Sequence, residues 1–520
     1  MTSLNASVNA ASALKDEGNA LLLDHLYTEA VKKYSEAIEV IGDETADDET
    51  KKLLAILLSN RAQAYIKTEA YGLAVRDASS AIKADPKYPK GYYRRATAEF
   101  ALNKPKEARK DFKVVCRLRP KDRDARAKLV ECEKAVKEAA FALAIESEES
   151  IPLSSTMDFS TIRIENSYDG PHPNKETIDF APSELEDEKM MFMPGMLPLD
   201  FAMAAIERFK NQKLIHKRYV TALLISCKKH FDSLPSLLRV KVPEMTPEDL
   251  HGKVGEVPRI TCCGDTHGQF YDVLNIFKLN GYPSASNPYI FNGDFVDRGS
   301  FSVEVILTYL LLKLTCPEGI YLLRGNHETK NMNKIYGFEG EVKAKYDGLI
   351  FDLFLEVFCA LPLAAVINDK VFVTHGGIPS YPTTLKDIEA IKRGREPADS
   401  GLMSDLLWSD PQPFKGKTPS KRGIGFSFGP DITSQFLESN NLELLVRSHE
   451  VKDEGYLVEH DEKCITVFSA PNYCDQMGNK GAFIHFSHDL VPNFTKFESV
   501  PHPDVKPMAY AAGMGGLFSP

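Results

Sequence analysis

Two rhythms of apolar residues divide this chain. Through the first 146 residues they return at helical spacing, and small residues return with them. Ala62, Ala74, Ala81 and Pro86 come back thirty-four residues on as Ala96, Ala108, Val115 and Pro120. An earlier copy is Gly18, Ala30 and Ala37, with Tyr34 at the place of Ala78 and Phe112. Small side chains at these points let paired antiparallel helices approach closely, and the proline ends the second helix of each pair. Ala125, Leu129, Cys132, Val136, Ala139 and Leu143 then fall three or four apart and predict one more amphipathic helix over Asp122 to Ile145. From Phe201 to Leu237, Leu, Ile and Tyr recur again at helical spacing. Beyond that the rhythm changes to short apolar runs at 260–263, 289–292, 320–323, 371–373, 444–446 and 466–468. Each is stopped by glycine or polar residues, and each predicts a buried strand.

A period of 34 with small residues at helix crossings is the mark of tetratricopeptide repeats. Residues 10–146 therefore read as an all-α domain of three repeats plus a helix that covers the last repeat. The acidic run from Gly42 to Glu49 reads as a solvated loop. Residues 147–176 turn acidic, then Ser-rich, then Gly170-Pro171-His172-Pro173, and predict an extended linker. Residues 177–510 form the second domain, in which His216 and His230 read as structural or exposed. The tail 511–520 is glycine-rich and a poor helix former.

Composition narrows the setting. The chain has 520 residues, 43% hydrophobic and 26% charged, ordinary for a soluble globular protein. A net charge of -10 disfavours nonspecific nucleic-acid binding. Nine scattered cysteines without a CxxC pair point to a reducing compartment rather than a disulfide framework. The N-terminus lacks the apolar core of a signal peptide, and no apolar run approaches the ~20 residues needed to span a bilayer. The densest, Val305 to Leu314, is interrupted by Thr308, Tyr309 and Lys313. The expected location is cytoplasmic and nuclear.

Three of the strands end in chemistry. They run into Gly264-Asp265-Thr266-His267-Gly268, Gly293-Asp294-Phe295-Val296-Asp297-Arg298-Gly299, and Arg324-Gly325-Asn326-His327-Glu328. Asp265, Asp294 and Asn326 stand about thirty residues apart, the length of a strand, a crossover helix and a return. That spacing puts them at the carboxyl edge of one sheet, where open α/β folds bind ligands. Hard oxygen and imidazole donors without thiolate suit Mn²⁺, Fe or Zn²⁺. One such motif is weak evidence for a metal site; three in order at strand ends are strong. Two later strands end in His375-Gly376-Gly377 and in Arg447-Ser448-His449-Glu450, adding the nitrogen donors His375 and His449. A cysteine-based phosphatase is excluded, because no Cys has an Arg six residues on.

These motifs resemble the phosphoprotein phosphatase family of serine/threonine phosphatases, and with the repeats the resemblance covers nearly the whole chain. It implies an α/β metallophosphoesterase β-sandwich flanked by helices. It assigns Asp265, His267 and Asp294 to one divalent ion, and Asp294, Asn326, His375 and His449 to a second, with Asp294 bridging. Two metals ~3.5–4 Å apart can lower the pKa of a shared water. His327 would be the general acid, held by Asp297. Arg298 and Arg422 resemble phosphate-gripping arginines, whose forks suit two oxygens, and Tyr473 resembles a substrate contact. The rival class, a nuclease or nucleotide diesterase, shares the GD and GNH signals but not the paired Asp297-Arg298.

Lys15, Asn19, Asn60, Lys90 and Arg94 lie on first helices of repeats. They match the carboxylate clamp of tetratricopeptide domains that bind the Glu-Glu-Val-Asp tail of the ninety-kilodalton heat-shock chaperone. Cations and amides together suit a terminal carboxylate and an Asp side chain. The resemblance also implies autoinhibition by the repeats, relieved by chaperone tail or fatty acid, with Glu69 matching a position that touches the catalytic channel.

Overall fold

A computed structural model describes residues 2–24, 26–42, 47–145, 151–173, 192–244, 258–380 and 382–511. Parts of the predicted acidic loop (43–46), linker (147–150, 174–176), second domain (177–191, 245–257) and tail (512–520) lie outside the described residues. The chain divides into two units. The first is 1–150 with 419–424 and 513–520; the second is 151–418 with 425–512.

The first unit is a run of helices: α1 Thr2–Leu23, α2 Tyr27–Ile41, α3 Asp48–Lys67, α4 Tyr71–Ala84, α5 Pro89–Ala101, α6 Pro105–Leu118 and α7 Arg123–Ile145. The small residues that carry the period are buried: Ala30, Ala37, Ala62, Ala74, Ala81, Ala96 and Ala108 expose 0% of their surface. Gly18 allows Tyr34 to close the first helix pair, since a Cβ there would sit 2.7 Å from the Tyr34 ring. A second feature keeps the same period. Arg61 Nε and Nη2 donate to Asp77 at 2.6 and 3.0 Å, and thirty-four residues later Arg95 Nε and Nη2 donate to Asp111 at 2.6 and 3.0 Å. Each pair bonds the first helix of a repeat to the second, with both carboxylates buried. Ala125 and Cys132 of α7 are buried, Leu129 packs beside them, and the side chains of Ala139 and Leu143 lie outside the described residues.

The second unit corrects the tether reading. Residues 151–173 belong to it rather than spanning free. The short helix α8 (Leu153–Thr156) is capped by Glu356, whose carboxylate accepts the Leu153 and Ser154 N–H groups at 2.6 and 3.1 Å. Phe159 is buried in the main core. Asp169 bonds Arg208 and Lys213, and His172 Nδ1 lies 2.6 Å from the Tyr219 hydroxyl. The helical stretch near 201–237 resolves into α9 (Leu199–Lys210) and α10 (Lys217–Ser233), the latter capped by His216.

Strands and helices then alternate: β1 Leu237–Val240, β2 Ile260–Cys263, α11 Phe270–Asn280, β3 Tyr289–Phe291, α12 Ser302–Thr315, β4 Ile320–Leu322, α13 Lys330–Tyr336, α14 Phe338–Lys345, α15 Gly348–Ala360, β5 Ala364–Ile367 and β6 Val371–Thr374. Next come α16 Leu385–Glu389, α17 Leu402–Trp408, β7 Asp410–Pro411, β8 Lys417–Pro419, β9 Phe426–Phe428, α18 Pro430–Ser439, β10 Leu444–Arg447, β11 Tyr456–Glu459, β12 Cys464–Val467, β13 Gly481–Phe486 and β14 Pro492–Phe497. One sheet has the order β1-β5-β6-β10-β12-β11 and a second β14-β13-β2-β3-β4; β7-β9-β8 is a small third. As the thirty-residue spacing predicts, β2, β3 and β4 pair in parallel, with helical crossovers. Val373 and Val446 from one sheet pack with Cys262, Ile290 and Ile484 from the other in one apolar layer, the interior of a sandwich. Helix α12 is apolar and buried all round, so the dense run Val305 to Leu314 is a core helix.

Candidate active site

Each candidate ligand stands just past a strand. Asp265 and His267 follow β2, Asp294 follows β3, Asn326 follows β4, His375 follows β6 and His449 follows β10. The first four come from one sheet and the two histidines from the other. All are buried, between 0% and 6% exposed. The loops turn abruptly: His267, Asp294, Asp297, Arg298 and His449 all have positive φ, a conformation that costs a side-chain-bearing residue of order 1–3 kcal/mol. Interlocked glycines make the turns possible. A Cβ on Gly325 would lie 2.2 Å from Asp294 Oδ1, and one on Gly293 would lie 2.6 Å from Gly325.

The acceptors converge. His375 Nε2 lies 3.3 Å from Asp294 Oδ2, 3.2 Å from His449 Nδ1 and 2.8 Å from Asn326 Oδ1. His267 Nε2 lies 3.5 Å from Asp294 Oδ2 and 3.7 Å from Asp265 Oδ2. Backbone carbonyls fix which ring nitrogen faces inward. His267 Nδ1 donates to Val296 O at 3.0 Å and His375 Nδ1 to Asn292 O at 2.8 Å, which leaves each Nε2 lone pair facing the carboxylates. Burial pushes His267 down to about 3, so its ring stays neutral. Burial pushes Asp265 up to about 7, with His375 lowering it and Asp294 raising it further.

This donor set fits divalent ions. Neutral imidazoles and carboxylates crowd together in a buried space, which is costly unless positive charge is supplied. The Asn326 amide shows the same need: its oxygen faces ring-nitrogen acceptors, and only the rotated amide would donate to His375, His449 and Asp294. A cation at that point satisfies the oxygen. Among the described residues, two groups could hold an ion, His267 with Asp294 and His327, and Asp294 with His375 and His449. Asp294 is common to both.

His327 is differently engaged. Its Nδ1 lies 2.9 Å from Asp297 Oδ2. That carboxylate also accepts from Asn333 Nδ2 at 3.1 Å and from the Phe338 N–H at 2.9 Å, so its orientation is fixed. Burial, above all, holds the Asp297 carboxyl well above the ordinary range, against the pull of those two donors. Arg298 lies beside it, 5% exposed, with its guanidinium 3.8 Å from the centre of the Tyr336 ring. The Tyr473 ring lies 5.1 Å from that of His267. Residues 419–424 belong to the first unit, where Arg422 Nη1 lies 3.7 Å from Glu69 Oε2.

Sequence reasoning missed the residues that hold the loops. Glu328 Oε2 accepts the N–H groups of Asp294 and Gly325, and Oε1 that of Phe295, at 2.8, 2.9 and 2.8 Å. One carboxylate thus clips two ligand loops together. Fully buried Arg447 donates to Gly376 O at 2.6 Å and Asp410 Oδ1 at 2.8 Å, bracing the loops of His375 and His449. Asn292 Nδ2 donates to Thr374 O and Ser448 Oγ across the two sheets. Glu328 and Arg447 sat inside the quoted motifs; their charge next to a ligand was the available signal.

In the first unit, Asn19 Oδ1 accepts from the Tyr34 hydroxyl at 2.8 Å and from Asn60 Nδ2 at 2.9 Å, so two clamp amides meet. Lys15 Nζ lies 3.2 Å from Asp16. Lys90 and Arg94 share the face of α5 and interact electrostatically.

Residues 258–453 match the calcineurin-like phosphoesterase family model, and residues 129–239 match one described as PPP5 TPR repeat region. The chain is 48% identical over 510 residues to the serine/threonine-protein phosphatase 5 of Homo sapiens, covering 98% of this chain and 94% of that protein. Against that of Arabidopsis thaliana it is 49% identical over 555 residues, covering 99% of each. A solved Saccharomyces cerevisiae protein serine/threonine phosphatase, described as similar to human phosphatase PP5, is 45% identical with a TM-score of 0.54. It covers 58% of this chain and 96% of its own.

Proposed function

The chain belongs to the serine/threonine-protein phosphatase 5 family, and from that premise we propose that it removes phosphate from phosphoserine and phosphothreonine at a two-ion centre. Asp265, His267 and Asp294 would hold one ion, and Asp294, Asn326, His375 and His449 the other; Mn²⁺ or Fe suits these donors, with Zn²⁺ next. When bound, such ions neutralise phosphate charge and supply a water of lowered pKa at neutral pH.

The rest is done by side chains. Arg298 presents a planar fork to the phosphoryl oxygens and is kept in place by the Tyr336 face. With Nδ1 bonded to Asp297, His327 carries its transferable proton on Nε2 and gives it to the departing serine or threonine oxygen. Asp297 stabilises the imidazolium before that transfer. Tyr473 lines the substrate side. The observation that carries the proposal is the His327–Asp297 pair set against Asp294, whose Oδ1 accepts the backbone N–H of His327 at 2.8 Å. The test is metal analysis with turnover of a phosphoserine peptide in Mn²⁺, for wild type and Asp294→Asn. Two ions per chain and turnover in wild type, with fewer ions and at least ~10²-fold less turnover in the variant, are expected. Turnover with fewer than two ions would refute it.

We further propose that Lys15, Asn19, Asn60, Lys90 and Arg94 hold the acidic tail of the ninety-kilodalton heat-shock chaperone. The Asn19–Asn60 bond supports this by presenting two clamp amides together. We propose too that the repeats restrain the phosphatase, and that chaperone tail or fatty acid relieves it. The Glu69–Arg422 proximity supports this, because it occupies an arginine expected to grip phosphate. Removing residues 1–150 should raise basal activity; equal activity would refute restraint. Nine cysteines, none in a disulfide, favour the cytoplasm and nucleus as its place.

A further inference from the structure

The first unit holds a concentration of positive charge that the five clamp positions do not exhaust. A cleft of about 240 Å³ is lined by Lys90, Tyr93 and Arg94 of α5, by Arg119 just past α6, and by Asp122 and Asp124 at the start of α7. Three cations and two carboxylates face it, so the cations outnumber the carboxylates, and each carboxylate also accepts a hydrogen bond within the unit. Asp124 accepts the Tyr93 hydroxyl, and Asp122 Oδ1 caps α7 by accepting the Ala125 N–H at 3.0 Å. Arg94 Nε is buried and makes no hydrogen bond, while its guanidinium lies 5.4 Å from the centre of the Tyr93 ring. Burial first, and then Arg94 and Arg119, lower the Lys90 ammonium, so Arg119 is close enough to act on it. The two carboxylates offset part of this charge, and the excess of cations favours an entering anion.

Two of these cations, Lys90 and Arg94, are clamp residues; Arg119 is not. A terminal residue offers two carboxylates, its own and that of an Asp side chain, and the amides of Asn19 and Asn60 already serve that end. A third cation needs a further anionic group. We propose that Arg119 completes a three-cation subsite that takes an acidic side chain upstream of the terminal residue in a bound peptide tail. The guanidinium fork of Arg119 accepts such a carboxylate through two parallel N–H bonds. Arg119 is solvent-exposed, so the subsite is open to an extended peptide rather than closed around a small ion. The clamp then reads how acidic the tail is as well as where it ends. This rests on the clamp reading of the repeats.

The test is isothermal titration of the full-length chain with two synthetic peptides, one ending in Glu-Glu-Val-Asp and one in Gln-Gln-Val-Asp. Wild type should prefer the first. Arg119→Gln should weaken the Glu-Glu peptide about tenfold, the size of a lost charge-assisted bond, and the Gln-Gln peptide less than twofold. Arg119→Lys should recover part of the preference, since it keeps charge without the fork. Equal weakening of both peptides by Arg119→Gln would overturn the subsite in favour of a general field. So would an unchanged Glu-over-Gln preference while Lys90→Ala still abolishes binding, which leaves the clamp standing. If wild type binds neither peptide, the clamp and the subsite fall together.

Discussion

The repeats and the phosphatase unit gather charged groups by opposite means. In the repeats, candidate binding residues sit on helix faces four residues apart, as Lys15 with Asn19 and Lys90 with Arg94, on ordinary helical backbone. The only non-glycine residues with positive φ among the described residues of those helices and their turns are Glu69 and Asn103, thirty-four apart at equivalent turns. In the phosphatase unit, the candidate ligands come from five loops spanning Asp265 to His449, and eight non-glycine residues in and beside the site have positive φ. A helix face tolerates substitution because each side chain is placed by its own turn. A strained loop is placed by its neighbours, so its failure is shared.

The largest effect should come from Asp297→Asn. The amide keeps the shape but loses the negative charge that orients the His327 imidazolium, and turnover should fall about 10³–10⁴-fold with KM and bound metal little changed. Loss of metal together with activity would place Asp297 among the structural residues instead. Gly325→Ala comes next. Its Cβ would meet Asp294 Oδ1 at 2.2 Å and Asp294 N at 2.4 Å, which displaces both loops, and a shift of that order costs about 10²-fold. The matching change in the repeats, Gly18→Ala, meets the Tyr34 ring at 2.7 Å. It should cost about 1–3 kcal/mol of repeat stability by overpacking and leave turnover alone. Turnover and urea denaturation of the two variants test the contrast; if Gly325→Ala keeps full activity, the loops are not interlocked.

Those two placements also decide what the chain discloses in advance. The strand-end motifs were legible because parallel crossovers recur at a fixed length and because Asp, Asn and His in that setting have few other uses. The repeat was legible from its small residues. The Arg61–Asp77 and Arg95–Asp111 pairs carry the same period and were readable, yet charge at a fixed spacing looks like a solvated face until burial is known. The charge of Glu328 beside a ligand was a signal, but its use was not legible, because two of its three N–H partners, those of Asp294 and Phe295, lie on a loop that only folding brings to it. Positive φ at Asp294 or His449 is equally hidden, since glycine is the residue that announces it. Residues 151–173 were misread for a compositional reason. Ser, Gly and Pro also make a close-fitting strap when a few apolar residues between them, here Phe159 with Met157, Ile162, Ile164 and Tyr168, pack on the core.

That strap gives a smaller, separable effect. The phosphatase unit cut before Ile151 should unfold cooperatively at its full-length temperature. A cut after Pro173 removes Phe159, the Glu356 cap partners and the Asp169 bonds to Arg208 and Lys213. Burial of one phenylalanine alone contributes about 1.5–3 kcal/mol, so the shorter piece should melt several degrees lower. Equal melting temperatures would return 151–173 to the status of a tether.

The smallest effect separates the two units by the sign of their response to pH. Glu99 on α5 is raised to about 7, by burial first and then by Asp111, with Arg95 opposing. Between its ordinary 4.5 and 7 the folded state holds a proton that the unfolded state has released. Stability of the repeats therefore falls as pH rises through that window. His230 on α10 is lowered to about 4, by burial first and then by Lys313. Between 4 and its ordinary 6.5 the unfolded state binds a proton that the folded state refuses, so stability of the phosphatase unit falls as pH drops. Both groups keep some contact with solvent, so each contributes about 1 kcal/mol rather than the full value of its shift. Glu99→Gln should stabilise the repeats above pH 7 and do nothing below pH 4.5. His230→Gln should stabilise the phosphatase unit near pH 4 and do nothing above pH 6.5. The single tryptophan, Trp408, reports the second unit by fluorescence, and hydrogen exchange in α5 reports the first. Parallel slopes in the two probes would show that neither group governs the response of its own unit.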